Sequence, residues 1–228
     1  MSFTRYAIYF TPAPGQLADF GAEWLGWDSA AGSTRAHPVI PGLSASVAAL
    51  TARPRKYGFH GTLKAPFRLA ADRTETALLH AVDRLASTLA PVTLQGLKLD
   101  QIGGFLALTP AGSAGGLTAF AADVVEQLDS FRAPPTADEI ARRNPARLTP
   151  RQQTLLANWG YPYVQDQFRF HMTLTGPVPR EHIGAVRSAL APVLAPILPQ
   201  PFRIDALTLL GADTAGRFHQ ITRVSVSG

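Results

Sequence analysis

The chain has no cysteine among its 228 residues, which excludes disulfides, thiolate metal sites and cysteine nucleophiles. Charge is sparse as well: only 16% of residues are Asp, Glu, Lys or Arg, and no long basic run interrupts the sequence. That argues against a large nucleic-acid footprint. No stretch is apolar enough to span a bilayer, and the opening MSFTRYAIYF lacks the charged-then-apolar order of a signal peptide. The expectation is a cytoplasmic protein with no membrane contact. A Gly-x-Ser-x-Gly elbow is missing too, so a serine-type nucleophile has no support.

What is present is a core-forming composition, 46% hydrophobic, at a length that suits one domain with two lobes better than two domains. The net charge of +5 and pI near 10.0 suit a phosphate-bearing partner without choosing between a sugar phosphate and RNA.

The informative feature is a repeat. Phe59 to Phe67 reads FHGTLKAPF and Phe170 to Val178 reads FHMTLTGPV; both fit Phe-His-x-Thr-Leu-x-(Ala/Gly)-Pro-apolar. His60 and His171 stand 111 residues apart, a spacing that indicates a duplicated unit rather than a solenoid. On an extended strand alternate side chains share a face, so His60 lies with Thr62 and His171 with Thr173, about 7 Å apart in each pair. Two such units facing each other make a cleft with two imidazoles and two hydroxyls. A neutral imidazole takes a proton from a nucleophile, an imidazolium gives one to a leaving oxygen, and threonine hydroxyls bond phosphoryl oxygens. A single His-x-Thr arises by chance; two in matched nine-residue frames are hard to explain as packing.

HGTL at 60 to 63 and HMTL at 171 to 174 resemble the paired His-x-Thr-apolar signatures of the two-histidine phosphoesterase superfamily. RYAIYF at 5 to 10, PRKYGFHGTLKAPFRL at 54 to 69 and LTPRQQTLLANWGYPYV at 148 to 164 are similar to a bacterial branch of it associated with phosphonate breakdown. The resemblance runs over nearly the whole chain. It implies hydrolysis of a cyclic phosphodiester without a metal or other cofactor, with a small phosphorylated substrate such as a ribosyl 1,2-cyclic phosphate bearing a 5-phosphate. An RNA end-processing phosphodiesterase and a module that holds a cyclic nucleotide or RNA end without cleaving it are the alternatives.

Periodicity supplies the framework. A strand is expected over 5–10, a helix over 16–25, a loop over 28–46, the first signature strand over 56–69 and a helix over 73–89. Strands near 92–100 and 104–109 and a helix over 117–131 follow. The second unit repeats the order with a strand over 167–176, a helix over 181–194 and strands near 202–210 and 217–226. The expected fold is therefore α+β: a single two-lobed domain, its duplicated units forming two mainly antiparallel sheets that face a central cleft, with helices outside. Residues 132–166 form a helical insert with capping boxes at Thr136/Glu139 and Thr149/Gln152. Its Arg142, Arg143, Arg147, Arg151 and Trp159 fit either a lid or substrate clamp over the cleft, or a solvated helical pair.

Strict alternation also places Lys56, Gly58 and Lys64 on the face of His60, and Arg169 on the face of His171. Lys64 and Arg169 are then candidates for holding phosphate, or else solvated strand-end cations. Tyr6 and Tyr9 point to opposite faces, so at most one of them lines the site, and the resemblance favours Tyr6. His60 and His171 supply at most two metal ligands, with no carboxylate or cysteine near either in sequence, so a metal is not expected. The near-symmetry of the motifs leaves open which histidine is the base.

Overall fold

The computed structural model describes residues 2–228. Strand β1 (Arg5–Phe10) shows why alternation matters here: Tyr6, Ile8 and Phe10 enter the main apolar core, whereas Ala7 and Tyr9 belong to a small cluster on the other face. Helix α1 (Gln16–Leu25) follows and is closed by Gly26 in the left-handed region, at φ 73°. The expected loop holds only a two-rung hairpin, β2 (Trp27–Asp28) with β3 (Ser33–Thr34), and leads into one turn of helix, α2 (Val47–Leu50).

The first signature strand is shorter than alternation suggested. Residues Arg55–Tyr57 form a 3₁₀ turn, and β4 begins only at Gly61 and runs to Phe67. Helix α3 (Glu75–Ala86) is capped by the Thr74 side chain and buries Leu78, Val82 and Leu85. Next come β5 (Val92–Leu94), β6 (Gly96–Ile102), β7 (Phe105–Ala111) and helix α4 (Gly115–Gln127). In the insert both capping boxes form as expected, starting α5 (Ala137–Ala141) and α6 (Pro150–Trp159), and Gly160 ends the latter. The second signature strand is reduced to β8 (Met172–Thr173). Beyond it the backbone leaves the ladder: the amides of Leu174 and Thr175 both donate to the Leu106 carbonyl, that of Gly176 to Leu50, and that of Val178 to Gly104. The chain ends with α7 (Arg180–Leu194), β9 (Phe202–Ile204), β10 (Ala206–Ala212) and β11 (Phe218–Ser225).

The α+β class with antiparallel pairing is what the chain adopts. The two expected sheets, however, meet edge to edge in one seven-stranded sheet of order β11-β10-β1-β4-β8-β7-β6, joined at its centre by the single pair Gly61↔Met172. The duplicated units also exchange strands. Signature strand β4 lies in the half that contains β10 and β11 of the second unit, and β8 in the half that contains β6 and β7 of the first. Each helix follows its own signature strand, α3 packing on β10 and β11 and α7 on β6 and β7. No helix among the described residues is long and apolar enough to cross a membrane.

The central pair is tight. A Cβ on Gly61 would lie 2.3 Å from the ring of Phe170, which is itself buried in the core. The first frame packs the same way, since a Cβ on Gly21 of α1 would lie 2.1 Å from the ring of Phe59. Each signature phenylalanine thus occupies the space above a glycine, and neither site can take a side chain without displacing a core ring. Replacing Gly61 by alanine should lower unfolding free energy by about 1–3 kcal/mol, measured by urea denaturation. A loss below about 0.5 kcal/mol, the range of an inconsequential surface change, would show that the strands have slack at their crossing.

Candidate active site

The cavity lies on the Ala7/Tyr9 side of the sheet and has a volume of about 640 Å³. His60 immediately precedes β4, on a backbone shaped by Gly58, whose φ of 71° lies in the region glycine tolerates. This turn aims the Gly58 carbonyl at the ring, and His60 Nδ1 donates to it at 2.9 Å. The neutral ring therefore carries its proton on Nδ1. Its Nε2 is left as an acceptor, 3.2 Å from the Thr62 hydroxyl. His171 repeats the arrangement: its Nδ1 donates to the carbonyl two residues back, that of Arg169, also at 2.9 Å. The duplication has preserved the tautomer device as well as the residue types.

The two rings differ in surroundings. Tyr9 stacks on His60 with centroids 3.7 Å apart and planes 20° apart, and Tyr57 covers it from 6.0 Å. Burial lowers the His60 pKa to about 4, partly opposed by the Gly58 hydrogen bond and reinforced by the proximity of His171. His60 is thus neutral at physiological pH. His171 is more open, packed against Phe105 at 5.8 Å. Phe105, Thr62 and Thr173 are all part of the cavity wall. The hydroxyl of Thr62 is engaged with His60, whereas that of Thr173 has no hydrogen bond to another protein group among the described residues and is free for a ligand.

The wall is electropositive. Arg5, Arg53, Lys56 and Arg143 line it, and no aspartate or glutamate does. Such a wall attracts anions.

Residues 62–219 match the family model described as "Protein of unknown function (DUF1045)". The chain belongs to the DUF1045 family. It is 36% identical over 234 residues to a protein of Janthinobacterium sp. (strain Marseille) named "Ribose 1,5-bisphosphate phosphokinase PhnN", and 32% identical over 230 residues to one of the same name from Laribacter hongkongensis (strain HLHK9). These alignments cover 100% and 96% of this chain but 52% and 51% of the relatives, so this DUF1045 chain spans about half the length of the curated relatives it matches. Among solved structures, E. coli LigT complexed with NADP+ is 14% identical with a TM-score of 0.47, and one described as a phosphoesterase is 13% identical with a TM-score of 0.43. Both alignments cover 100% of each chain.

Three expectations for this DUF1045 chain need correction. Lys64 is not in the cleft: Tyr9 pairs with Thr62 but Ile8 with Lys64, so Leu63 is an extra residue and the strand bulges there. The bulge turns Lys64 inward, where its Nζ donates to the Val125 carbonyl at 3.1 Å and to Asp129 at 2.8 Å. Burial lowers the Lys64 pKa, and Asp129 opposes that effect. Ala65 takes the cavity position instead. Tyr6 is also elsewhere, its hydroxyl donating to Glu75 at 2.8 Å; of the two tyrosines on β1, Tyr9 is the one at the cavity. Arg169 is exposed and absent from the wall, and what it contributes is the carbonyl that orients His171. Lys56 does line the cavity, though from the 3₁₀ turn rather than from a strand.

Arg5, Arg53, Tyr57 and Tyr161 were not singled out as wall residues by sequence reasoning, and Arg143 entered only among the insert residues that fit a lid or substrate clamp. Arg5 had a usable signal, because it shares strand parity with Ala7 and Tyr9 while Tyr6 shares it with Ile8 and Phe10. Arg143 had none beyond its place in an arginine-rich insert. Of the other insert residues that suggested a lid, Arg151 is paired with Asp166, and Trp159 packs on the cluster of Val125, Leu155 and Val164.

The depressed His60 pKa has a consequence for stability. The unfolded chain binds a proton at this ring near pH 6.5 and the folded one near 4, so the stabilising contribution is complete above 6.5 and is lost as pH falls through that window. A His60→Gln variant should lose less stability than the natural chain between pH 6.5 and 4, by parallel urea titrations. Parallel slopes for the two would mean that the ring is not shielded from water.

Proposed function

We propose that this chain hydrolyses a cyclic phosphodiester by two-histidine acid–base catalysis without a metal ion. The observation that carries the reading is the matched geometry of two His-x-Thr units, each ring held by the carbonyl two residues back, with His60, Thr62 and Thr173 on the wall of one electropositive cavity. His60, neutral with Nε2 unprotonated, accepts a proton from water as the water oxygen attacks phosphorus. His171, in its protonated form, gives a proton to the departing sugar oxygen as the phosphorus–oxygen bond breaks. As water takes the place of the Thr62 hydroxyl at His60 Nε2, Thr62 turns to donate with Thr173 to the non-bridging oxygens, where charge accumulates. The product is a phosphomonoester with a free hydroxyl, and proton exchange with solvent restores both rings.

For the substrate, a small phosphorylated sugar fits better than a polymer, because the cations gather in one bounded cavity rather than along a stripe. The curated relatives are named for ribose 1,5-bisphosphate, and a 5-phosphoribosyl 1,2-cyclic phosphate of phosphonate catabolism is the specific candidate. The phosphokinase activity in those names is not carried over, since this chain has no Gly-x-x-x-x-Gly-Lys-(Ser/Thr) loop.

Incubation with a panel of cyclic phosphates, followed by phosphorus NMR, should show conversion of a sugar cyclic phosphate to a monoester, unaffected by chelator. His60→Ala and His171→Ala should each slow it by about a hundredfold or more. The acidic limb of the rate profile should fall near the His60 value of about 4, below the near-neutral limb of an ordinary histidine. Near-normal rates in both variants would reject the assignment. Tight, salt-sensitive binding of oligoribonucleotides with preferential cleavage of their ends would replace it with the RNA reading. Ligand-induced thermal protection without any product would point to a binding module.

A further inference from the structure

The cationic wall exceeds what the cleavage chemistry needs. A phosphodiester carries one negative charge, and the two His-x-Thr pairs already supply its proton transfers and its hydrogen-bond donors. Four more cations, Arg5, Arg53, Lys56 and Arg143, share the same wall, and none forms an ion pair among the described residues. Elsewhere Arg35, Arg68, Arg73, Arg132, Arg151 and Arg223 each meet a carboxylate and others such as Arg84 and Arg203 do not, but only at this wall do four unpaired cations share one cavity among the described residues.

Three of the four rest instead on aromatic faces. The Arg5 guanidinium lies 5.9 Å from the ring centre of Phe218, Lys56 Nζ 5.1 Å from that of Tyr57, and the Arg143 guanidinium 4.7 Å from that of Tyr161. An aromatic face orients a cation without neutralising it, so the charge stays available to a ligand. A second kind of group is unspent as well. Tyr9 is only 1% exposed and lines the cavity, and among the described residues its hydroxyl has no hydrogen-bond partner in the protein.

We propose that Arg5, Lys56 and Arg143, with the Tyr9 hydroxyl, form a second anion subsite that holds a phosphomonoester on the same substrate molecule, away from the ester that is cut. The inference rests on the two-histidine reading and adds to it the residues that hold the second phosphate and so set specificity. A phosphomonoester carries about −1.5 to −2 at pH 7, so a substrate with both groups matches the surplus of positive charge where a bare cyclic diester does not. Arg143 comes from the end of α5 in the insert, while Arg5 opens β1. The subsite therefore ties the insert to the sheet, and that gives the 132–166 segment a role in choosing the substrate.

Calorimetric titration with a pentose 5-phosphate tests this apart from catalysis. The natural chain and a His60→Ala/His171→Ala double variant should bind it alike, within about threefold, whereas Arg143→Gln and Arg5→Gln should each weaken binding by about tenfold or more, as expected for losing a charge-assisted contact. Both arginines lie at the surface or half-buried, and unchanged thermal midpoints would establish that the variants are folded. Binding lost in the double histidine variant but kept in both arginine variants would overturn the proposal, and so would absence of binding to every form. If the binding pattern holds while no cyclic phosphate is hydrolysed, the catalytic reading fails and the subsite stands.

Discussion

Everything at the cavity depends on one backbone contact, the pairing of Gly61 with Met172 under the ring of Phe170. It is the sole rung between the two halves of the sheet, and each partner is flanked by a His-x-Thr residue pair. Holding these two backbones at strand spacing, about 4.8 Å, brings His60, Thr62 and Thr173 to one wall with His171 beside them. A side chain at position 61 would push the crossing apart. The glycine therefore helps to set the geometry of the cavity although it has no chemistry of its own.

From that contact, duplication explains the likeness of the two motifs and their surroundings explain the difference. Both rings are fixed by the carbonyl two residues back, which selects the same tautomer in each. Only His60 has Tyr9 stacked against it and Tyr57 over it. An imidazole enclosed by rings resists protonation, as the lowered His60 pKa shows. A pair of matched groups in unlike environments is a way to obtain a base and an acid from one motif. The strand exchange between units reinforces the arrangement, because neither half of the sheet can be assembled without residues from both copies.

Much of this was legible in the sequence because the repeat is long and its spacing regular. The helices followed from apolar periodicity and the insert from its two capping boxes, since local chemistry decides both. Lys64 was misplaced because alternation carries across a strand only while its ladder is regular, and the extra residue at Leu63 has no local signature. The reach of the second signature strand was overestimated for a related reason: two successive amides share the Leu106 carbonyl, a tertiary choice that propensity cannot see. For Tyr6 and Tyr9 the parity was read correctly, but the open face was not identified. The neighbours in register, Ile8 and Phe10 against Ala7 and Arg5, carry that information. Arg143 reaches the wall from a segment distant in sequence, and only the packing of the insert on α4 reveals it.

The central claim is that two imidazoles serve one phosphoryl group. Nitrogen-15 NMR of the histidine side chains during titration with orthovanadate, a mimic of phosphorus at the point of attack, tests it most directly. The account predicts that the His60 and His171 resonances move together with a single affinity, His60 starting as the tautomer protonated on Nδ1. Movement of only one ring, or separate affinities for the two, would contradict it.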